Sequence, residues 1–303
     1  MRPLLVLLLA LLPLAATAEG AAFRFRSADA GGRGEAVRAL AATGAGWART
    51  RAASEAFLGT PYVVSPLGEG TGPDPDPLLR WDGVDCLTFV ETALAVGNAD
   101  DIAAAAAALD DIRYRAGRAP AFEHRLHLMI AQWIPDQIAK GYLEDVTAAL
   151  PGATEVAIAY DEGIWRGRGR ALRALPWQEE LRGTFRLPMI PLAQAQAIAQ
   201  RLPEGLVLNV VRKARPDRIN RVTHTGFVIV KEGKRFVRHA SYGRREVVDE
   251  PIERFLGRHA RMRKWEVEGI NLLAVRDNAA HVRALVERRT AALDVVPAAA
   301  STR

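Results

Sequence analysis

The chain has 303 residues, of which 49% are hydrophobic, 25% charged and 7% aromatic. That composition excludes collagen-like, low-complexity and wholly disordered chains. Lys and Arg number 41 against 35 Asp and Glu, a formal net charge of +6. The excess is small and its arginines are scattered. It therefore argues against nucleic acid as a partner and suits one that carries carboxylates.

Met1-Arg2 is followed by an apolar run from Leu4 to Leu14, broken only by Pro13, and then by Ala16-Thr17-Ala18 ahead of Glu19. This order predicts a cleavable secretory signal over residues 1–18, too short to cross a bilayer core of about 30 Å. Its removal takes away Arg2 and no acid, leaving 40 basic against 35 acidic groups, a net +5. No later segment reaches eighteen consecutive apolar residues. The expectation is an exported, periplasmic protein with no stable membrane insertion.

Residues 19–33, rich in Gly, Ala and Arg, read as a loose leader. The spacing of Val37, Leu40, Ala41, Trp47 and Phe57 predicts one or two helices from Gly34 to Leu58. Residues 59–80 hold Gly59, Pro61, Pro66, Gly68, Gly70, Gly72 and repeated Asp-Pro steps, which predicts a long loop of the functional kind. Helical spacing resumes from Cys86 to Val96, with Leu87, Val90 and Leu94 on the apolar face, and two further helices are expected at Asp101–Arg115 and Glu123–Lys140, the last stopped by Gly141. The second half changes period. Short runs at Gly205–Val211, Thr223–Val230, Arg235–Ala240, Val247-Val248 and Ile270–Val275 read as strands, with Lys231-Glu232-Gly233-Lys234 as a hairpin turn. Helices first and antiparallel strands afterwards make an α+β fold: one catalytic domain over 34–276, then a C-terminal helix over 277–294 and a disordered tail from Pro297.

Cys86 is the one cysteine of the chain, so it has no internal disulfide partner. In Trp81-Asp82-Gly83-Val84-Asp85-Cys86 the thiol opens a helix, with Asp82 as N-cap and Asp85 three residues on. A helix N-terminus presents free N–H groups and a positive dipole end, which favour a thiolate and can hold an oxyanion. Asp85 opposes the thiolate, so the chemistry asks for a histidine. His224 and His239 lie on the two strands of one hairpin, side by side, as a base and the group that orients it.

Gly59-Thr60-Pro61-Tyr62, Asp85-Cys86-Leu87-Thr88-Phe89-Val90-Glu91, His224-Thr225-Gly226 and His239-Ala240-Ser241, in that order, resemble the signature of NlpC-type papain-like cell-wall hydrolases. With Arg125-Leu126-His127 and Gly141 to Thr147, the set resembles the N-acetylmuramoyl-L-alanine amidase-like branch over residues 45–276. The resemblance implies a papain-like fold, Cys86 as nucleophile, His224 as base and His239 as its orienter, with no cofactor and no metal. It also implies Tyr62 facing the nucleophile, Asp85 beside the oxyanion, and His127 lining the cleft. The hairpin is longer than the family's, with fifteen positions from His224 to His239, and Ser241 is the nearest substitute for the orienter. The family's Gly-Asp at the first strand reads Glu204-Gly205 here.

The implied reaction is hydrolysis of the amide between N-acetylmuramic acid and L-alanine in muropeptides, through a thioester. The alternatives are an endopeptidase cutting γ-D-glutamyl-diaminopimelate in the stem, and a binding module without turnover. Around the site, His124 and His127 have the spacing of a metal pair but no third ligand. Glu91 lies about 140° round the helix from Cys86 and is expected to pair with Arg125. His259 and His281 are expected to be solvated, and Trp81 either walls the cleft or packs.

Overall fold

The computed structural model describes residues 22–168, 172 and 175–294; the expected signal segment and the tail from Pro297 lie outside them. The first half is helical: α1 (Ala30–Ala42), α2 (Trp47–Ala56), α3 (Cys86–Gly97), α4 (Ile102–Arg113) and α5 (Ile134–Lys140). Strand β1 (Leu143–Asp145) follows, then β2 (Thr154–Tyr160), α6 (Glu162–Arg168), β3 (Gly183–Pro191), α7 (Leu192–Ile198) and β4 (Leu206–Arg212). The chain continues through β5 (Val222–Lys231), β6 (Lys234–Ser241), β7 (Glu246–Pro251), α8 (Ile252–Ala260), β8 (Val267–Val275) and α9 (Ala279–Asp294). The strands join in one sheet in the order β2-β3-β8-β4-β5-β6-β7, antiparallel throughout, with β1 added beside β8. The fold is thus mixed α+β around an antiparallel sheet. Among the described residues no helix is long and apolar enough to cross a membrane.

The sheet is covered on both faces, which explains why β4 reads as an unbroken buried run rather than an alternating one. Val207, Val211, Phe227 and Ile229 join the core that includes Phe89 of α3. Leu206, Leu208, Val210, Val228 and Val237 meet Phe255 and Leu256 of α8 on the other side. Strands of the same sheet therefore send alternate side chains to two different helical layers. The β5–β6 hairpin turns at Glu232 and Gly233, with φ of 49° and 75°, the left-handed pair that a two-residue hairpin turn requires.

Three expectations change. The leader is part of the fold from its middle onward: α1 begins at Ala30, and Phe25 is fully buried against Phe57 and Trp81, at centroid distances of 5.0 and 4.7 Å. The single helix expected over Glu123–Lys140 breaks into a short 3-10 turn at Phe122–His124, an extended stretch, a π-helical turn at Met129–Trp133 and α5. Tertiary pairing overrides the helical pattern there, because Arg115 N–H donates to the His124 carbonyl and Leu126 N–H to that of Arg113. Finally, β1, β2, α6, β3, α7 and α8 are elements that the residue pattern does not predict.

Candidate active site

Helix α3 starts at Cys86 because Asp85, not Asp82, caps it. Asp85 Oδ1 accepts from the backbone N–H groups of Leu87 at 3.1 Å and Thr88 at 2.8 Å, while Thr88 Oγ1 accepts from Asp85 N–H at 2.9 Å. This reciprocal capping box satisfies two of the helix's orphan donors. Asp82 instead pairs with Arg80 at 2.6 Å. The long loop is firmly held: Arg125 clamps Glu69 and Asp74, and the Tyr114 hydroxyl donates to Glu69 at 2.8 Å. Its start runs beside the cap, with Val63 N–H to the Val84 carbonyl and Val84 N–H to the Pro61 carbonyl, both at 3.0 Å. It also meets the turn before β7, where Tyr62 N–H donates to the Arg245 carbonyl at 2.8 Å. Those hydrogen bonds place Tyr62 close enough to Cys86 and Asp85 for both to raise its pKa, after burial, so its hydroxyl stays protonated.

Cys86 keeps part of its surface exposed. Burial and then the Asp85 carboxylate push its thiol up to about 12, against the pull of the N–H groups of Thr225, Leu87 and Cys86 itself. The Thr225 N–H reaches the sulfur because the β5–β6 ladder ends at the Phe227–Arg238 pair, leaving the β5 edge open beyond it. A bulge opposite Val210 and Val211 then turns the strand at Thr223.

His224, the neighbour of Thr225, sends its ring to the α8 face, stacked on Phe255 at 5.8 Å. The β5–β6 pairing stops short of His224; two residues out of that register, its imidazole meets His239 diagonally, Nε2 to Nδ1 at 2.8 Å. Gly226 makes that approach possible, since a Cβ there would lie 2.7 Å from the Arg238 carbonyl oxygen and 2.8 Å from His239 Cβ. His239 Nε2 meets Glu250 Oε2 at 3.2 Å, and Arg258 holds the same oxygen at 2.8 Å.

This series of hydrogen bonds fixes the tautomers. Burial works against the Glu250 carboxylate, but hydrogen bonds from His239 and Arg258 bring its pKa down to about 2. An ionised carboxylate only accepts, so His239 carries its proton on Nε2 and offers a lone pair at Nδ1. His224 therefore donates from Nε2 and keeps its own lone pair on Nδ1. Burial, and then the cost of adding a positive charge beside His239, His259, Arg258 and Arg212, push the His224 pKa well below its usual value. The imidazole is a neutral base.

Ser241 does not orient the imidazole. Its Oγ accepts from Arg244 N–H at 3.3 Å and so braces the β6–β7 turn. His127 is not at the cavity beside His224: Nε2 bonds the Phe122 carbonyl at 2.7 Å, and burial brings its pKa down to about 4. His124 Nδ1 is likewise held by the Ala119 carbonyl at 2.9 Å. Glu91 pairs with Arg113 at 3.0 Å and with the Trp133 indole at 2.9 Å, not with Arg125. Trp81 packs against Phe25 and Phe57. His281 is bonded to Asp111 at 2.9 Å rather than solvated.

His259 departs furthest from its sequence expectation. It is 3% exposed, 4.6 Å from the Phe255 ring and 6.1 Å from that of His224. The signal was there: Ile252, Phe255, Leu256 and His259 stand at i, i+3, i+4 and i+7 of α8, its buried stripe. Glu250, Arg258 and His259 all line a cavity of about 770 Å³ that opens beside His224 and His239. Cys86 is not among the residues that line it.

The sequence model of the AmiA-like family, described as N-acetylmuramoyl-L-alanine amidase-like, matches residues 52–262. No curated protein gives a significant match. Among solved structures, a protein of Legionella pneumophila str. Philadelphia 1 is 23% identical with a TM-score of 0.68, covering 80% of this chain and 94% of that one. An N-acetylmuramoyl-L-alanine amidase from Bacteroides uniformis is 25% identical with a TM-score of 0.60, covering 75% and 99%. A Bacteroides fragilis protein described as a candidate xylanase is 26% identical with a TM-score of 0.59, covering 74% and 99%. With the family match spanning the long loop, Cys86, both hairpin histidines and α8, the chain belongs to the AmiA-like, N-acetylmuramoyl-L-alanine amidase-like family.

Proposed function

We propose that the protein is an exported, periplasmic peptidoglycan amidase that cleaves the bond between N-acetylmuramic acid and L-alanine in muropeptides. In this reading Cys86 is the nucleophile and His224 the base of a papain-like catalytic domain. The supporting observation is that Cys86 opens a capped helix with its sulfur against Thr225 N–H, while the adjacent His224 has Nε2 anchored and Nδ1 unengaged. The resting pair is a neutral thiol and a neutral imidazole. As the sulfur bonds to the amide carbon, its proton passes to His224 Nδ1. Asp85 occupies the Leu87 and Thr88 N–H groups, so in this reading the Cys86 N–H and the hydroxyl of Tyr62, which lies near enough to Cys86 to feel its charge, are the donors to the oxyanion. Collapse breaks the C–N bond as Nδ1 returns the proton to the leaving amine. Water then attacks the thioester, giving its proton to Nδ1, and the acid and the thiol are released.

A glycosidase, as the name of the Bacteroides fragilis relative suggests, needs one carboxyl held protonated near neutrality. The cavity's Glu250 and Asp249 are held the other way. Burial raises both, but Arg258 and His239 overcome it for Glu250, and Arg238 and Lys231 for Asp249.

Wild-type and Cys86→Ala proteins incubated with a defined muropeptide, with products read by mass spectrometry, test the proposal. Release of the sugar from the whole peptide by the wild type alone is expected. A cut within the stem would assign an endopeptidase, and equal product from both proteins would end the cysteine mechanism.

A further inference from the structure

His224 and His239 line the cavity on the α8 side, and the bond-breaking steps make no direct use of the rest of its lining. Arg212 lies half-buried in it, and its guanidinium donates only to neutral atoms: Thr223 Oγ1 at 2.9 Å, Met262 Sδ at 3.1 Å and the Trp265 carbonyl. Arg254 projects into it from α8 without an acidic partner among the described residues. Of the three acids that line it, Glu250 is bound by His239 and Arg258, and Asp249 by Arg238 and Lys231. Glu246, exposed at the start of β7, is the third. The uncommitted charges of the lining, Arg212, Arg244 and Arg254 against Glu246, are therefore net positive.

His259 supplies an independent observation. It is 3% exposed and lines the cavity, yet neither ring nitrogen has a hydrogen-bond partner. Buried polar groups are nearly always satisfied, so an orphan ring at a cavity wall points to a partner delivered from the cavity. Burial, then Arg258 and Arg212, bring its pKa down to about 3. The neutral ring has one N–H to donate and adds no charge.

We propose that this cavity is a carboxylate subsite, in which His259 donates its N–H to a free carboxylate of the substrate's peptide and Arg212 and Arg254 supply the charge. The substrate class rests on the amidase reading; the anion site does not. A volume of about 770 Å³ admits several peptide units rather than a lone ion.

Binding measured by calorimetry on the Cys86→Ala protein separates the two readings, since it needs no turnover. The probes are a short stem peptide with free carboxylates and the same peptide with every carboxylate amidated. The free acid is expected to bind at least tenfold more tightly than the amide. His259→Phe, which keeps the ring packing on Phe255, and Arg254→Gln, at an exposed position, are each expected to weaken the acid about tenfold and leave the amide unchanged. In the thiol-bearing protein both substitutions should raise KM with kcat within threefold. Equal or undetectable binding of acid and amide, or undiminished acid binding by both variants, would overturn the subsite. Failure of the wild type to cleave muropeptides would overturn the amidase reading alone.

Discussion

Glu250→Gln is the substitution that tests the site most directly, because it leaves shape intact and removes only the charge that sets the proton positions. The Glu250 carboxylate can accept but not donate, and through His239 it puts the His224 lone pair on Nδ1. A glutamine amide can donate to His239 Nε2, which would move both protons one nitrogen along and leave Nδ1 of His224 protonated toward the thiol. The substitution removes a hydrogen bond to a charged group, worth about 1.5–3 kcal/mol. At about 1.4 kcal/mol per decade that is a loss of about 10- to 150-fold in kcat. The assay is steady-state peptide release from a defined muropeptide, with urea unfolding as the check on folding, since Arg258 loses its partner too. A kcat within twofold of wild type, on a folded protein, would refute the tautomer chain.

Iodoacetamide should modify Cys86 at a rate that climbs about tenfold per pH unit from 7 to 9, because a thiol pushed up to about 12 is protonated throughout that range; a plateau between pH 6 and 8 would indicate a preformed thiolate–imidazolium pair instead. Stability should fall as pH drops below 6.5, because His259, with a folded pKa of about 3, stays neutral while the unfolded chain binds the proton. Each such histidine adds up to about 1.4 kcal/mol per pH unit to the slope. Urea midpoints at pH 7 and 5 should therefore differ, and His259→Phe should shrink the difference; a pH-independent midpoint would contradict the burial. Glu91→Ala leaves Arg113 buried without its carboxylate, and should cost about 3–5 kcal/mol by denaturant unfolding. A loss under 1 kcal/mol would show that the pair does not hold α3 to α4.

Much of the candidate site's local geometry was legible from residue order. The cysteine at a helix start, the His-Thr-Gly and His-Ala-Ser of one hairpin, and the Gly-Thr-Pro-Tyr ahead of them are local patterns with local causes. A capping aspartate and a glycine where two backbones meet can both be read in a few residues. Even so, the cap is Asp85 rather than Asp82, because the long loop ties Val84 into an extended segment up to the helix start. Ser241 could not be separated from His239 as the orienter without knowing that the second imidazole meets the first diagonally.

The chain's own order determined the α+β character, the succession of helices and strands around the candidate site, and the candidates proposed as nucleophile and base, since periodicity, capping and turns depend on neighbours a few positions apart. Tertiary structure alone decided which distant groups came to share a space. Arg113 rather than Arg125 closes on Glu91, Glu250 and Arg258 finish the histidine chain, and His259 sits buried and unpartnered at a cationic cavity. The first follows from the packing of α3 on α4, and the others from the register of β5, β6 and β7 and from the way α8 lies across them. Such long-range packing is set by how two helical layers cover one sheet, and no local run of residues encodes it.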